Sequence, residues 1–307
     1  MTKNDLTEKL RNRGILFYMT VSQAAKTKTD REKTVEANVD NNSRNLKVVK
    51  TLWNENDKEI ARISTVANRA RNFIYANTIR WTDNGWRLIP VRGMVALKDG
   101  RIVKDPNGQP FYNVFVSAME QFKNEFNDAV NDAANKLDIL IQNAREACGD
   151  AFNLSDYPNT KRFRSAHRLS FNYMNIPYYD AHVDVDAEFA SILEDNIKQT
   201  IDGQMTDALK DCYTRLFESV KFFADKMNGE EGFHKSAVDN MLRAVETISM
   251  FDGMLYDSAL DSLAREIKSF AEKQNVKDIR EDDTGATRQK AAKEAADIVS
   301  KISSFLQ

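Results

Sequence analysis

Phe111-Tyr-Asn-Val-Phe115-Val-Ser-Ala-Met119-Glu-Gln-Phe122-Lys-Asn-Glu-Phe126-Asn-Asp-Ala-Val130-Asn-Asp-Ala133-Ala-Asn-Lys-Leu137-Asp-Ile-Leu140-Ile-Gln-Asn-Ala144-Arg-Glu-Ala-Cys148 is the stretch that decides the fold. Its apolar positions, from Phe115 to Cys148, cover 33 residues in nine steps of three or four, 3.67 per step. That spacing is helical, and closer to an 11-residue repeat than to a heptad, so it predicts a straight or faintly right-handed pairing. The helix would run ~57 Å at ~1.5 Å per residue, and Gly149 stops it. A second long stripe follows at Phe189, Leu193, Ile197, Ile201, Met205, Leu209, Cys212, Leu216, Val220, Phe223 and Met227. It predicts a helix from about Asp184 to Asn228, with Gly203 as a point of bending. Neither helix can bury its stripe alone, and an antiparallel hairpin is the simplest way to bury both.

Working outward, Ile15-Leu-Phe-Tyr-Met-Thr-Val21 is apolar, β-branched and aromatic, which suits a buried strand. Residues 22–42 are polar and read as a loop. A helix is expected from Ser43, on a stripe of Val49, Leu52, Asn56, Ile60, Ile63, Ala67, Ala70, Ile74 and Asn77. Asp83-Asn-Gly85 marks a turn, and Trp86-Arg-Leu-Ile-Pro90 an extended segment. Asp99-Gly100, between Val95 and Val103, is the strongest hairpin signal in the chain. Pro110 is placed to open the long helix. Arg168 to Ile176 alternates as a strand, and 233–250, 258–274 and 288–306 read as three shorter helices. The expected fold class is therefore mainly α. It comprises a long antiparallel, coiled-coil-like helical hairpin, a small β element from 15–21, 86–103 and 168–176, and a C-terminal helical bundle. Three regions are expected: 1–110, 111–228 and 229–307.

Composition narrows the function. Gly (11) and Pro (5) are scarce among 307 residues, against a loop-rich β-sandwich or a Rossmann-type nucleotide binder. No apolar run approaches a membrane span and the first residues lack a signal peptide, so a cytoplasmic protein is expected. Cys148 and Cys212 form no spacing motif and lie on the apolar stripes, where buried thiols are expected. The phosphate-loop, dinucleotide, zinc-protease and nucleophile-elbow templates are all missing, and only His167, His182 and His234 are available for histidine chemistry. No catalytic residue, metal or cofactor is assigned. The nearest thing to a metal cluster is Asp180, His182 and Asp184, with Asp186 and Glu188. Acidic residues also gather at helix N-termini to complement the dipole, and a helix starts here.

Charge is more informative than its sum of −2. Residues 58–104 hold ten basic and three acidic side chains, a balance of +7, whereas 184–261 hold seven and seventeen, a balance of −10. The densest basic patch is Lys161, Arg162, Arg164 and Arg168, with Tyr157 and Phe163 as candidate stacking rings. With Arg80 and Arg87, beside Trp81 and Trp86, these residues form a candidate nucleic-acid surface. Equally, the basic and acidic parts attract each other, within one chain or between subunits.

Several segments carry a likeness. Gly14-Ile-Leu-Phe-Tyr-Met-Thr-Val-Ser22, Trp86–Pro90, the helix from Phe111 and Arg162-Phe-Arg164 occur in order, followed by Phe233-His-Lys-Ser-Ala-Val-Asp-Asn240-Met-Leu-Arg243 and Tyr256-Asp-Ser-Ala-Leu260. In this the chain resembles, over about residues 5–270, an uncharacterised protein family of tailed phages and integrative elements. Such proteins are often encoded near MoxR-type AAA+ ATPases and von Willebrand A-domain proteins. The resemblance implies an accessory role and no reaction. The expectation is a non-enzymatic assembly protein in a host cytoplasm, partnered by itself or by such an ATPase or A-domain protein. The alternative is nucleic-acid binding through the basic residues of 58–104 and 161–168.

Overall fold

Asp99 and Gly100 both take a positive φ, 49° and 74°. Two left-handed residues make the tight turn that matches strand twist, and here they join β6 (Met94–Lys98) to β7 (Arg101–Lys104), with Lys98 opposite Arg101. The computed structural model describes residues 10–54, 56–177, 186–228, 235–251, 254–255, 257–281 and 284–306. It is mostly helical with small sheets. The chain divides into two compact units: Met1–Tyr18, Ile74–Phe115 and Tyr173–Gln307 form the first, Met19–Phe73 and Val116–Asn172 the second. Of the three expected regions, 1–110 and 111–228 each contribute to both units, and 229–307 lies within the first.

The strand expected at 15–21 is β1 (Gly14–Ser22). It pairs antiparallel with β5 (Arg87–Pro90), Gly14 opposite Pro90 and Phe17 opposite Arg87. β4 (Ile79–Arg80) flanks β5, and β9 (Arg168–Asn175) completes the order β4-β5-β1-β9. A Cβ at Gly14 would meet the ends of the Met254 and Leu88 side chains at 2.8 and 2.9 Å and the Leu10 carbonyl at 3.2 Å, so a larger residue there would make these neighbours shift. The 94–104 hairpin belongs to a separate sheet with β8 (Gln109–Pro110), so the expected single β element is two.

In the first unit the second long stripe forms one helix, α6 (Ala187–Asn228), unbroken at Gly203. Cys212, Leu216, Val220, Phe223 and Met227 are buried along it. It packs against α7 (Ser236–Ser249), α8 (Ser258–Glu272) and α10 (Ala286–Ser303), with α9 (Val276–Glu281) preceding α10. Tyr213 stacks on Phe305 at 4.9 Å, and Arg288 donates to the Lys226 carbonyl at 3.4 Å, so α6 and α10 run antiparallel. Asp257 caps α8 by accepting from the Ala259 and Leu260 amides.

The second unit corrects several expectations. The polar stretch expected to loop contains β2 (Thr27–Asp30), which pairs with β3 (Val48–Thr51), and α1 (Arg31–Asp40), capped by Asp30. The helix expected from Ser43 begins fifteen residues later, as α2 (Lys58–Asn77). Val49 belongs to the strand, and the polar run from Asn54 to Asp57 separates it from the helix. The helix expected over 111–148 is two: α3 (Phe111–Asn135) and α4 (Leu137–Cys148), interrupted at Lys136, whose ψ of 13° departs from helical geometry. Pro110 lies in β8 rather than in the helix. The expected hairpin between the two long helices, and a coiled coil, are not confirmed. The partner of α3 in this unit is α2: Glu59 pairs with Lys136, Arg62 with Asp132 and Arg69 with Glu125, and Phe73 meets Phe122 at 5.6 Å. Position numbers rise on one helix as they fall on the other, an antiparallel register. The core beneath holds Trp53, Ile63, Phe126, Leu137, Leu140 and, from α5 (Thr160–Ala166), Phe163.

Candidate functional site

Asn159 caps α5 by accepting from the Arg162 amide, and the short helix holds the basic patch at the surface of the second unit. Lys161, Arg162, Arg164 and Arg168 are all exposed there, and Arg164 donates to Asn135 at 2.8 Å. The aromatic partners are not available with them. Phe163 is fully buried, and Tyr157 packs edge-on to Trp53 and stacked on Phe152. His167 closes α5. Its Nδ1 meets the Phe163 carbonyl at 2.8 Å while Nε2 accepts from the Ala24 amide, and burial pulls its pKa below the ordinary 6.5.

Arg80 and Arg87 belong to the first unit. Arg87 is spent inside the protein: it donates to the Thr78 hydroxyl and carbonyl and lies 4.7 Å from the Tyr75 ring centroid. Burial, then the charge of Arg215, pulls it down to about 10. Arg80 pairs with the exposed Asp83. Trp81 is fully buried, and Trp86 packs on Tyr18 at 5.4 Å. The basic stretch 58–104 also finds local partners, since Arg62, Arg69 and Lys98 pair with Asp132, Glu125 and Asp105, none of them within 184–261. Of the proposed surface, the four residues of 161–168 remain together.

Asp180, His182 and Asp184 lie outside the described residues. Among the described residues no cluster of three metal-ligating side chains occurs, and no helix is long and apolar enough to cross a membrane. Cys212 is buried, and burial pushes its thiol up, so it stays protonated. Cys148 is half-buried and donates to the Thr51 carbonyl at 3.4 Å.

Two features were hidden in the sequence. The first is the exposed start of α6. From Ala187 to Thr200 none of its side chains is buried, and Phe189 and Ile192 are 48% and 49% exposed. Their apolar spacing was visible; that the stripe outruns its cover was not.

The second is a cleft of about 350 Å³ in the first unit, at the small end of ligand pockets. Arg215, Ser219 and Phe222 share one face of α6, and Asn240, Arg243 and Thr247 one face of α7. Arg101 of β7, Asn77 at the end of α2, Glu218 and Glu246 complete the lining. Thr247 donates to the Ala76 carbonyl at 3.0 Å, Asn77 accepts from the Ile102 amide at 3.3 Å, and Arg215 donates to the Tyr75 carbonyl at 2.9 Å. Arg215 is neutralised by Asp211 at 3.0 Å. Among the described residues Arg243 bonds neutral acceptors, the Asp239 carbonyl and the Asn240 side chain. Burial, then the nearby Arg101, lowers its pKa. A scan of protein-family models, a search of curated proteins and a search of solved structures each returned no match.

Proposed function

We propose that this chain is a non-enzymatic assembly protein, acting by protein–protein contact. One observation carries the reading: none of the first fourteen residues of α6 is fully buried, and among them Phe189 and Ile192 stand about half exposed. Large apolar side chains held on a rigid helix are what an interface core uses. The partner is a second copy of the chain or, following the family resemblance, an AAA+ ATPase or von Willebrand A-domain protein of the same phage or mobile element. Sedimentation velocity over rising concentration tests the first case. The wild type should assemble, and F189D/I192D should remain monomeric with unchanged circular dichroism. A wild type that stays monomeric and captures neither co-encoded protein overturns the reading.

The exposed run of Lys161, Arg162, Arg164 and Arg168 favours nucleic-acid binding as the second reading. Binding to DNA or RNA would then fall steeply with salt, and changing all four to Ala would flatten that slope. No shift in a gel at low salt ends it.

A further inference from the structure

The cleft between β7, α6 and α7 gathers two guanidinium groups that form no ion pair among the described residues. Among the described residues Arg101 has no hydrogen bond or ion pair, and Arg243 has no ion pair, the Asp239 carboxylate acting on it only through its field. Arg101 stands close enough to disfavour the charge on Arg243, and an anion shared between two such guanidinium groups relieves their repulsion. Glu218 and Glu246 line the same cleft, likewise without a cationic partner among the described residues. Those carboxylates repel a polyanion, so nucleic acid and polyphosphates fit poorly. They suit a ligand carrying positive charge as well.

We propose that this cleft binds a small amphoteric ligand of the amino-acid or peptide-end class. Arg101 and Arg243 take its carboxylate, and Glu218 and Glu246 take its ammonium group. Phe222, 41% exposed, supplies an apolar wall for a side chain. The floor is ready-made, because hydrogen bonds to Ala76, Asn77 and Tyr75 fix its walls before any ligand arrives. This site is independent of the assembly surface on α6.

Thermal shift and calorimetry of the full chain test it, with the standard L-amino acids and Gly-Gly as individual probes. At least one probe should give a saturable rise in melting temperature. Its N-acetylated and its C-amidated forms should each lose that rise, since each removes one of the two charges. R101A changes an exposed residue with no internal bond, and should weaken binding about tenfold or more. E218Q, also at an exposed position, should weaken the amphoteric probe while leaving the circular dichroism unchanged. Binding by Gly-Gly alone assigns a peptide end, and binding by a free amino acid assigns the monomer. No stabilisation by any probe, an undiminished shift in R101A, or equal binding of the N-acetylated form overturns the proposal.

Discussion

The helices α2 and α3 of the second unit and the helices α6 and α10 of the first are both antiparallel pairs, but they find their register differently. Along α2 and α3, Glu59, Arg62 and Arg69 meet Lys136, Asp132 and Glu125 in succession beside a shared apolar core, so a run of charges adds to packing in choosing which turn faces which. Along α6, the buried run from Cys212 to Met227 faces Ala291, Ala295, Ile298 and Ile302 in one apolar core. Shape alone does there what shape and charge do together in the other pair. Small alanines on α10 opposite large residues on α6 let the helices approach closely, and the register follows from packing. Exposed ion pairs add little stability but discriminate between partners, whereas an apolar seam stabilises strongly and discriminates less.

The sharpest way to break this comparison is to damage each core separately. F163A should destabilise the second unit by about 3–5 kcal/mol, and F223A should do the same to the first. Hydrogen exchange should rise chiefly within 19–73 and 116–172 for F163A, and chiefly in the other unit for F223A. Equal spreading through both units would show one core rather than two. A gain is expected from G203A on α6. A Cβ there would meet no atom within 4 Å, so denaturation should show about 1 kcal/mol of added stability.

A smaller effect belongs to the second unit alone. His167 has a folded-state pKa below 6.5, so the unfolded chain binds its proton more readily. Its contribution is therefore fully present above pH 6.5 and is lost as pH falls toward the folded value. Protonation also removes the Nε2 acceptor used by the Ala24 amide. Denaturation of the wild type and H167Q between pH 7.5 and 5 should show the wild type losing this extra stability. The smallest effect is that of the charge register itself. A double-mutant cycle on Arg62 and Asp132, both half-exposed, should give about 0.2–1 kcal/mol at low salt and less in high salt.

What could be read in the sequence depended on whether the signal was local. The β6–β7 turn was legible because Asp99-Gly100 alone requires it, and α6 because forty-two residues repeat one spacing. The helix α1 was not, since none of its residues is buried and no periodic stripe marks it; only the Asp30 cap identifies its start. Val49 and Leu52 fit the α2 stripe by coincidence of spacing, while the strand pairing of Val49 with Thr29 decides its structure. The stripe also runs through Lys136 undisturbed, because Leu137 and Leu140 keep facing the core after the break. Partner choice was illegible: Arg62 announces a charge but not that Asp132 will answer it. The exposed basic run 161–168 was readable from composition. The cleft was not, because Arg101 and Arg243 lie far apart in the chain and mean nothing until β7 and α7 meet at one rim.

The divisions between the units fall inside β1, α2, α3 and β9, so neither unit is a continuous piece of chain. During synthesis the ribosome releases all of Met19–Phe73 and Val116–Asn172 once residue 172 has emerged. The other unit then has its first strand and its β6–β7 hairpin in hand, but none of α6, α7 or α10. Nascent-chain order therefore favours completion of the smaller core first, while the larger waits for about 130 more residues, some seven to twenty-six seconds at ~5–20 residues per second. Until α10 appears, the long seam of α6 has no cover. That interval is when a chaperone or a neighbouring nascent chain has most to gain from holding it.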